Sequence, residues 1–295
     1  MIRRYAVVTP ARDEADNLPR LAASLAAQTV TPQAWNIVDN GSSDGTLDVA
    51  RELAATYDWI HLLTVPGGSV ADRGGPVVRA LQAGIAALDP APEVLVNVDA
   101  DISMDPDYFE RLLAKFDAEP ALGIASGSAF EQRRGVWEQR FVTGSTVWGA
   151  SRAYRWECLQ ELLPLEERVA WDGLDEFKAN TRGWHTKAFE ELHFRHHRRE
   201  GERDGAAWRT RLNQGRVTYY LGYRPWYLVL RALWHARREP SALAMPCGYA
   251  LSAIRRDERS ADEEARAYLR QQQSLRNLRR RALEASGRRS QLGFR

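Results

Sequence analysis

The sequence predicts an α/β fold: a Rossmann-like, mostly parallel sheet flanked by helices and followed by a helical C-terminal extension. Three observations carry this prediction. Short apolar runs alternate with stretches of helical spacing through the first third of the chain, the pattern of a parallel sheet with right-handed crossovers. The run Val94-Leu95-Val96-Asn97-Val98 is closed by Asp99-Ala100-Asp101, which puts two carboxylates at the end of a buried strand. Past about residue 200 the chain turns to Arg- and Trp-rich helical segments.

Residues 5–9 form a short apolar run that Pro10 is expected to end. Residues 17–28 carry Leu18, Leu21 and Leu25 on one helical face, with Asp13, Glu14 and Asp16 near the positive end of that helix. Residues 35–38 read as the second strand. It stops at Asp39-Asn40-Gly41-Ser42-Ser43-Asp44-Gly45, a turn cluster opening a helix over 46–56. A third strand is expected over 60–65, then a Gly-rich loop bracketed by Gly67-Gly68 and Gly74-Gly75, and a helix over 77–88. Residues 94–98 form the fourth strand, 108–116 a helix, and 123–128 begin a mixed part of the sheet. Residues 171–183 read as a helix with Asp172 as N-cap and Gly183 just past its end. Residues 218–237 are apolar and aromatic, broken at Pro225. Residues 261–283 read as one charged helix with Ala265, Leu269, Gln272, Leu275 and Leu278 along one side.

With 295 residues, 44% of them hydrophobic, the chain is long enough for one large domain and an appendage. Its net charge of +2 hides an asymmetry: residues 1–185 hold 17 Lys+Arg against 27 Asp+Glu, and residues 186–295 hold 24 against 12. An acidic first part suits a metal-dependent site, and a basic remainder suits phosphate, anionic lipid or an acidic acceptor. Cys158 and Cys247 lack metal-type spacing, so a reducing cytoplasm is the expected compartment. The apolar part of the N-terminus is too short for a signal peptide, and no stretch approaches the roughly 18 apolar residues of a membrane span. Neither G-x-G-x-x-G after the first strand nor G-x-x-x-x-G-K-[ST] occurs, which speaks against dinucleotide and P-loop chemistry.

Asp99 and Asp101 repel one another and are costly to desolvate unless a cation lies beside them. Hard divalent ions such as Mg²⁺ or Mn²⁺ take such oxygen ligands, with nucleotide phosphates completing the shell. Asp39 and Asn40 each offer a side-chain oxygen able to accept the imide N–H of a pyrimidine or the matching edge of guanine.

Four segments in order resemble the family 2 glycosyltransferases. Val7-Val8-Thr9-Pro10-Ala11-Arg12-Asp13-Glu14 resembles that family's first strand and nucleotide-contacting loop. Ile37-Val38-Asp39-Asn40-Gly41-Ser42-Ser43-Asp44-Gly45-Thr46 is similar to its second-strand motif. Asp99-Ala100-Asp101 resembles its metal-binding D-x-D, and Trp171-Asp172-Gly173-Leu174-Asp175-Glu176, ending at Gly183-Trp184, its base-bearing helix, with Trp171 where the family usually has an acid. The resemblance covers residues 5 to roughly 200. It implies a GT-A fold over residues 1–200, with a nucleotide-sugar half (1–101) and an acceptor half (102–200), and a basic helical extension over 201–295.

It further implies an inverting transfer from a nucleoside diphosphate sugar to an acceptor hydroxyl of a saccharide or lipid-linked saccharide, with Mn²⁺ or Mg²⁺. Pro10, Ala11, Arg12, Glu14, Asp39, Asn40, Ser42, Arg73, Asp99 and Ala100 would contact the donor. Asp101 and Asp99, with His196 or His197, would hold the metal. Asp172 would be the catalytic base, with Asp175 one turn on as its competitor. Arg195 and Arg198 are alternative phosphate ligands. Gly149-Ala150-Ser151 resembles the small-residue segment that lets backbone approach the donor sugar, and Trp137, Trp148, Trp171 and Trp184 are candidates for stacking on the acceptor. The aromatic and Arg-bearing stretch 219–228 would suit peripheral contact with the inner face of a membrane. Two alternatives stand beside this: a nucleotidyltransferase, disfavoured because residues 9–17 contain no Gly, and a non-catalytic nucleotide-binding module docking through its basic C-terminus. Nucleic-acid binding is not expected, since no recognition motif accompanies the charge.

Overall fold

A computed structural model of the chain describes residues 2, 4–68, 74–133, 135–140, 147–198, 207–237 and 239–278. They fall into two compact units, Met1–Arg199 and Glu200–Arg295.

The first unit is built on one mixed sheet in the order β3-β2-β1-β4-β8-β6-β9-β5, with β7 pairing β6 at the side. The parallel part is β1 (Tyr5–Ala11), β2 (Ala34–Asp39), β3 (Ile60–Thr64) and β4 (Val94–Val98). Its helices are α1 (Leu18–Ala26), α2 (Thr46–Thr56) and α3 (Gly75–Ala86). Beyond β4 come β5 (Ile102–Met104), α4 (Tyr108–Ala118), β6 (Leu122–Arg133), β7 (Val136–Gln139), β8 (Ser151–Arg155), α5 (Trp156–Leu162), α6 (Trp171–Thr181) and β9 (His185–His196).

Strand alternation explains the two apolar layers. Tyr5, Val7, Val94, Val96 and Val98 face α1 and α4 through Leu18, Leu21, Leu25, Phe109, Leu112 and Phe116. Val8, Val38 and Leu95 face the other way, against Val78, Leu81 and Ile85 of α3 and Cys158, Leu159 and Leu162 of α5. Each fully buried Leu or Val in these layers contributes roughly 1.5–3 kcal/mol. β1 lies between β2 and β4, so the chain leaves it first to one side and later returns to the other. A crevice opens at such a switch point, beyond the carboxyl ends of β1 and β4.

Pro10 does not end the first strand, which runs on to Ala11. The Ala11 carbonyl accepts from the Asn40 N–H on the β2 side, so the Pro10 nitrogen faces the side where the ladder with β4 has already stopped at Val8. No ladder bond is lost there. The expected Asp172 N-cap is also corrected. Ala170, at φ +69°, precedes the first turn of α6, and Asp172 sits inside it as the second helical residue. Gly183, at φ +87°, does follow the helix end, where only a residue tolerant of the left-handed region fits without strain. His193 to His196 belong to β9, which lies between β6 and β5.

The second unit contains α7 (Ala207–Tyr220), α8 (Pro225–Ala236), a short 3-10 turn Pro240–Leu243, α9 (Ala244–Arg255) and α10 (Glu263–Gln272). Pro225 separates α7 from α8, as the sequence predicts. The single helix expected over 261–283 is not formed. Asp262 caps α10 by accepting from the Ala265 N–H at 2.8 Å, and the helix ends before Gln273, whose side chain turns to accept from the Arg224 N–H at 2.8 Å. A new helical turn begins at Leu275, and residues 279–283 lie outside the described residues.

α7 and α9 cross in direct backbone contact. A Cβ on Gly215 would lie 2.0 Å from the Met245 carbonyl oxygen, and one on Gly248 would lie 1.9 Å from that of Leu212. Neither obstacle is a flexible side chain, so the helices must separate to admit a methyl group. Gly248→Ala is therefore expected to destabilise the helical unit by about 1–3 kcal/mol, the usual range for overpacking, seen as a lower thermal midpoint. Gly173→Ala, on α6 with nothing within 4 Å of the added methyl, is expected to leave stability unchanged or raise it by up to about 1 kcal/mol.

Candidate active site

The loops after β1 and β2 are stitched into one wall of the crevice. Asp13, in the left-handed region at φ +57°, is held by its N–H to Ser42 Oγ at 3.0 Å and by its carboxylate, which accepts from the Ser43 N–H at 2.7 Å. Thr46 Oγ1 accepts from the Glu14 N–H at 2.7 Å and donates to Asp44, whose carboxyl is held below its usual range chiefly by that bond. Arg12 donates to the Gly68 carbonyl at 3.0 Å.

Asp39 and Asn40 lie in this wall, both buried, and only one has its acceptor free. The Asp39 carboxylate accepts from the Gly41 N–H at 3.2 Å and the Ser42 N–H at 3.3 Å, shaping its own turn. Asn40 Oδ1 is buried with no hydrogen-bond partner. A buried orphan acceptor costs about 1–3 kcal/mol, so an N–H from a ligand there is strongly favoured. Gly41, at φ +88°, lies so close to Gly67 that a Cβ would meet its Cα at 2.8 Å, which keeps this corner tight. Arg73 lies outside the described residues.

Opposite stand the carboxylates of the β4 end. Asp99, Asp101 and His196 each bring a ligand atom within 4.8 Å of the others. His196 Nε2 is 3.2 Å from Asp101 Oδ1, and Arg198 is 3.4 Å from Asp101 Oδ2. Arg198 in turn clamps Glu14 with two bonds of 2.9 and 2.7 Å, joining the end of β9 to the loop after β1. Burial, then the charge of Asp101, pushes the Asp99 pKa up to about 6, with Glu14 and Asp172 adding to the effect. For Asp101 burial works the same way, but the hydrogen bond and charge of His196 and the charge of Arg198 hold its carboxyl below the usual range. Burial tends to lower the His196 pKa, and Asp101 more than reverses this.

Of the two candidate histidines, only His196 reaches this cluster. His197, next along the chain, points the other way: its Nε2 is 2.8 Å from Ser103 Oγ and its ring meets Trp137 edge-on at 5.4 Å. Arg195 likewise pairs with Asp105 at 3.0 Å on that other face. Ala100 is buried between the two acids.

Two carboxylates and an imidazole fit a divalent cation such as Mn²⁺, and Mg²⁺ less well. The nitrogen of His196 that faces the acids is Nε2, 3.2 Å from Asp101 Oδ1. Burial, then the charge of Asp101, opposes the ionisation of Asp99, and a cation would restore it.

Asp172 is half-buried at the start of α6, close enough to Asp99 for its charge to act there. Its Oδ2 is 3.5 Å from the position a Cβ on Gly149 would take, so the small-residue segment leaves room beside the carboxylate. Gly149 is itself fixed, since its carbonyl accepts from Asn97 Nδ2 at 2.9 Å. Asp175, the competitor, sits in a different setting. It is buried, accepts from the Tyr154 hydroxyl at 2.9 Å, and burial pushes its pKa up to about 7.

The sequence reading missed the residue that supports this helix start. Arg152 on β8 is wholly buried. It donates to the Asp172 carbonyl at 2.6 Å, to Glu176 at 3.2 Å, to the Val147 carbonyl at 3.1 Å and to Tyr154 at 2.8 Å. Burial disfavours its charge, but Tyr154, Glu176, Asp172 and Asp175 together keep it protonated. The signal was weak: β8 reads Ser-Arg-Ala-Tyr-Arg, and nothing in that pattern marks the first Arg as the buried one.

Comparison with known proteins agrees with this arrangement. The family model described as "Glycosyl transferase family 2" matches residues 6–158, just over half of the chain. Polyprenol monophosphomannose synthase of Mycolicibacterium smegmatis is 33% identical over 147 residues, 49% of this chain and 48% of that protein. An undecaprenyl-phosphate 4-deoxy-4-formamido-L-arabinose transferase of Salmonella paratyphi A is 28% identical over 119 residues, 39% of this chain and 34% of its own. The chain thus spans about half or less of the length of the curated relatives it matches. Among solved structures, the mannosyltransferase PcManGT from Pyrobaculum calidifontis, in complex with GDP-Man and Mn²⁺, superposes with a TM-score of 0.58 at 16% identity. The match covers 95% of this chain and 84% of that one, and shows a shared GT-A fold.

Arg152→Met leaves Glu176 and Asp175 buried without their cation. It is expected to cost about 3–5 kcal/mol in urea unfolding, and adding Glu176→Gln to recover part of the loss.

Proposed function

The chain belongs to glycosyl transferase family 2, and we propose that it is an inverting, metal-dependent glycosyltransferase using a nucleoside diphosphate sugar. Its acceptor is a hydroxyl of a saccharide or lipid-linked saccharide, in polysaccharide or glycolipid assembly at the cytoplasmic side of a membrane. One observation carries the reading: Asp99, Asp101 and His196 bring ligand atoms within 4.8 Å of one another, with Glu14 joined to Asp101 through Arg198 and Asp172 close enough for its charge to act on Asp99. Packing gives no reason to gather them, because like charges in a half-dry crevice destabilise each other.

Each donor group has a chemical counterpart. The orphan Asn40 Oδ1 accepts an N–H of the base. The Arg198 guanidinium, set by Glu14, faces the diphosphate. Asp99, Asp101 and His196 would hold Mn²⁺ or Mg²⁺, which when bound supplies positive charge against the leaving diphosphate. Asp172 takes the proton from the acceptor hydroxyl as that oxygen attacks the anomeric carbon. The diphosphate departs from the opposite face, and configuration inverts. Asp175, occupied by Tyr154, holds the helix rather than the proton.

The relatives, a polyprenol monophosphomannose synthase and an undecaprenyl-phosphate transferase, favour a second acceptor, a polyprenyl phosphate. Its oxygen is already ionised near neutral pH and needs no base. Asp172→Asn separates the two. With a hydroxyl acceptor, turnover is expected to fall by roughly 10²–10⁴-fold. With a polyprenyl phosphate acceptor, it would stay close to that of the unmodified protein. Near-normal turnover on a hydroxyl acceptor would remove Asp172 from the role of base.

Donor and metal are read by thermal shift with UDP, GDP, dTDP or CDP, with and without Mn²⁺. One nucleotide is expected to raise the midpoint in a Mn²⁺-dependent way, since a ligand at 100 times its Kd adds about 2.7 kcal/mol. Asp101→Asn is expected to abolish the Mn²⁺-dependent part. A nucleotide shift that ignores Mn²⁺ would count against metal dependence.

A further inference from the structure

The helical unit carries an outward face that water does not explain. The inward side of α8 is Leu228 and Ala232, packed with Met245 and Tyr249. Surface helices normally turn polar residues outward. α8 instead exposes Val229, Leu230, Leu233 and Trp234, at 44%, 45%, 54% and 45%. The neighbouring α9 repeats the pattern: Met245, Gly248 and Ser252 are buried, while Leu251 and Ile254 are exposed, Ile254 at 79%.

Length decides what such a helix can do. Twelve residues at about 1.5 Å each reach about 18 Å, well short of the roughly 30 Å hydrocarbon core of a bilayer. No described helix is long and apolar enough to cross a membrane. α8 can therefore lie in an interface but not span one.

Charge decides the partner. Residues 201–295 contain twenty Arg, no Lys, and nine Asp+Glu. The Arg237 guanidinium is 4.6 Å from the Trp234 ring of this face, and Arg231, exposed on the same helix, is 5.9 Å from the ring of half-buried Tyr223 before it and 3.1 Å from its hydroxyl. Arg255 and Arg256 close α9. Apolar and aromatic side chains bordered by guanidinium groups match the layer where acyl chains meet phosphates. A second copy placed face to face would bring like charges together. Nucleic acid would leave the Leu, Val and Trp surface unused.

We propose that the outward face of α8, with Leu251 and Ile254 of α9 as a secondary contact, docks the protein peripherally on an anionic lipid bilayer. This names the surface behind the membrane-side placement proposed above, and it depends on neither donor nor catalytic residues.

The test is co-sedimentation of the full chain with vesicles of phosphatidylcholine alone or mixed with phosphatidylglycerol. Binding is expected to the mixed vesicles and to weaken as salt rises. Arg231→Gln with Arg237→Gln is expected to lower partitioning roughly 30-fold, each interfacial Arg being worth about a factor of five. Leu230→Ser with Leu233→Ser and Trp234→Ser is expected to lower it by at least about tenfold while the thermal midpoint and Mn²⁺-nucleotide shift stay unchanged. Absence of binding by the unsubstituted chain overturns the proposal. So does binding that survives the apolar substitutions, which would be charge alone, or a stable dimer that those substitutions dissociate, which would make a second copy the occupant. Loss of vesicle binding by the apolar variant with its Mn²⁺-nucleotide shift intact supports the proposal and separates it from the donor reading.

Discussion

The Arg198 clamp on Glu14 and Asp101 is the interaction on which the crevice depends. It ties the end of β9 to the loop after β1 and to the tip of β4. Without a cation there, Glu14, Asp99 and Asp101 would face one another across a half-dry cleft, and mutual repulsion would push the loops apart. Arg198 and His196 both pair with Asp101, while burial and then the charge of Asp101 still push the Asp99 pKa up. The site is thus assembled but left short of positive charge, the condition in which a divalent cation and a pyrophosphate bind together more readily than either alone.

A second constraint acts behind Asp172. Three acids lie along the first turns of α6, and Arg152 is the cation beneath them. Burial separates their chemistry. Asp175 and Glu176 lie below the surface, each pushed up to about 7 by desolvation. The Asp172 side chain is only half-buried and lies beside Gly149. Spacing along a helix cannot distinguish acids three residues apart, but the polarity of what each one touches does.

That difference also marks the limit of sequence reading. β1 to β4 and their helices were legible because buried parallel strands are apolar runs and their helices show period-3.6 stripes. The β1, β2 and β4 loops were legible because turn residues and acids interrupt those runs sharply. β9 was not, since a strand rich in His, Arg and Glu has no apolar signature; its burial comes from β6 and β5 on either side. The choice between His196 and His197 turned on that same strand, because pleating sends adjacent side chains to opposite faces. Asp at the start of a helical pattern predicts a cap at Asp172, but the chain enters α6 through Ala170 in a left-handed conformation. The α7–α9 crossing was invisible because Gly215 and Gly248 are informative only once their partner carbonyls are known.

The two units answer different physical demands, and their compositions follow. An acidic crevice works through fixed charges on a rigid sheet, so its acids sit at strand ends and its cations are individually placed. The helical unit has little apolar bulk between its helices, since α7 and α9 meet through glycines and much of α8 and α9 turns its larger side chains outward. Arginine is the preferred cation throughout the chain, which has three Lys in all, so that preference alone marks no surface. What marks α8 is that Arg237 stacks on Trp234 while Leu230, Leu233 and Trp234 stay exposed. Such a face suits the phosphate-bearing apolar phase proposed above. If a catalytic unit takes its acceptor from such a phase, holding it near that phase shortens the search for the acceptor from three dimensions to two.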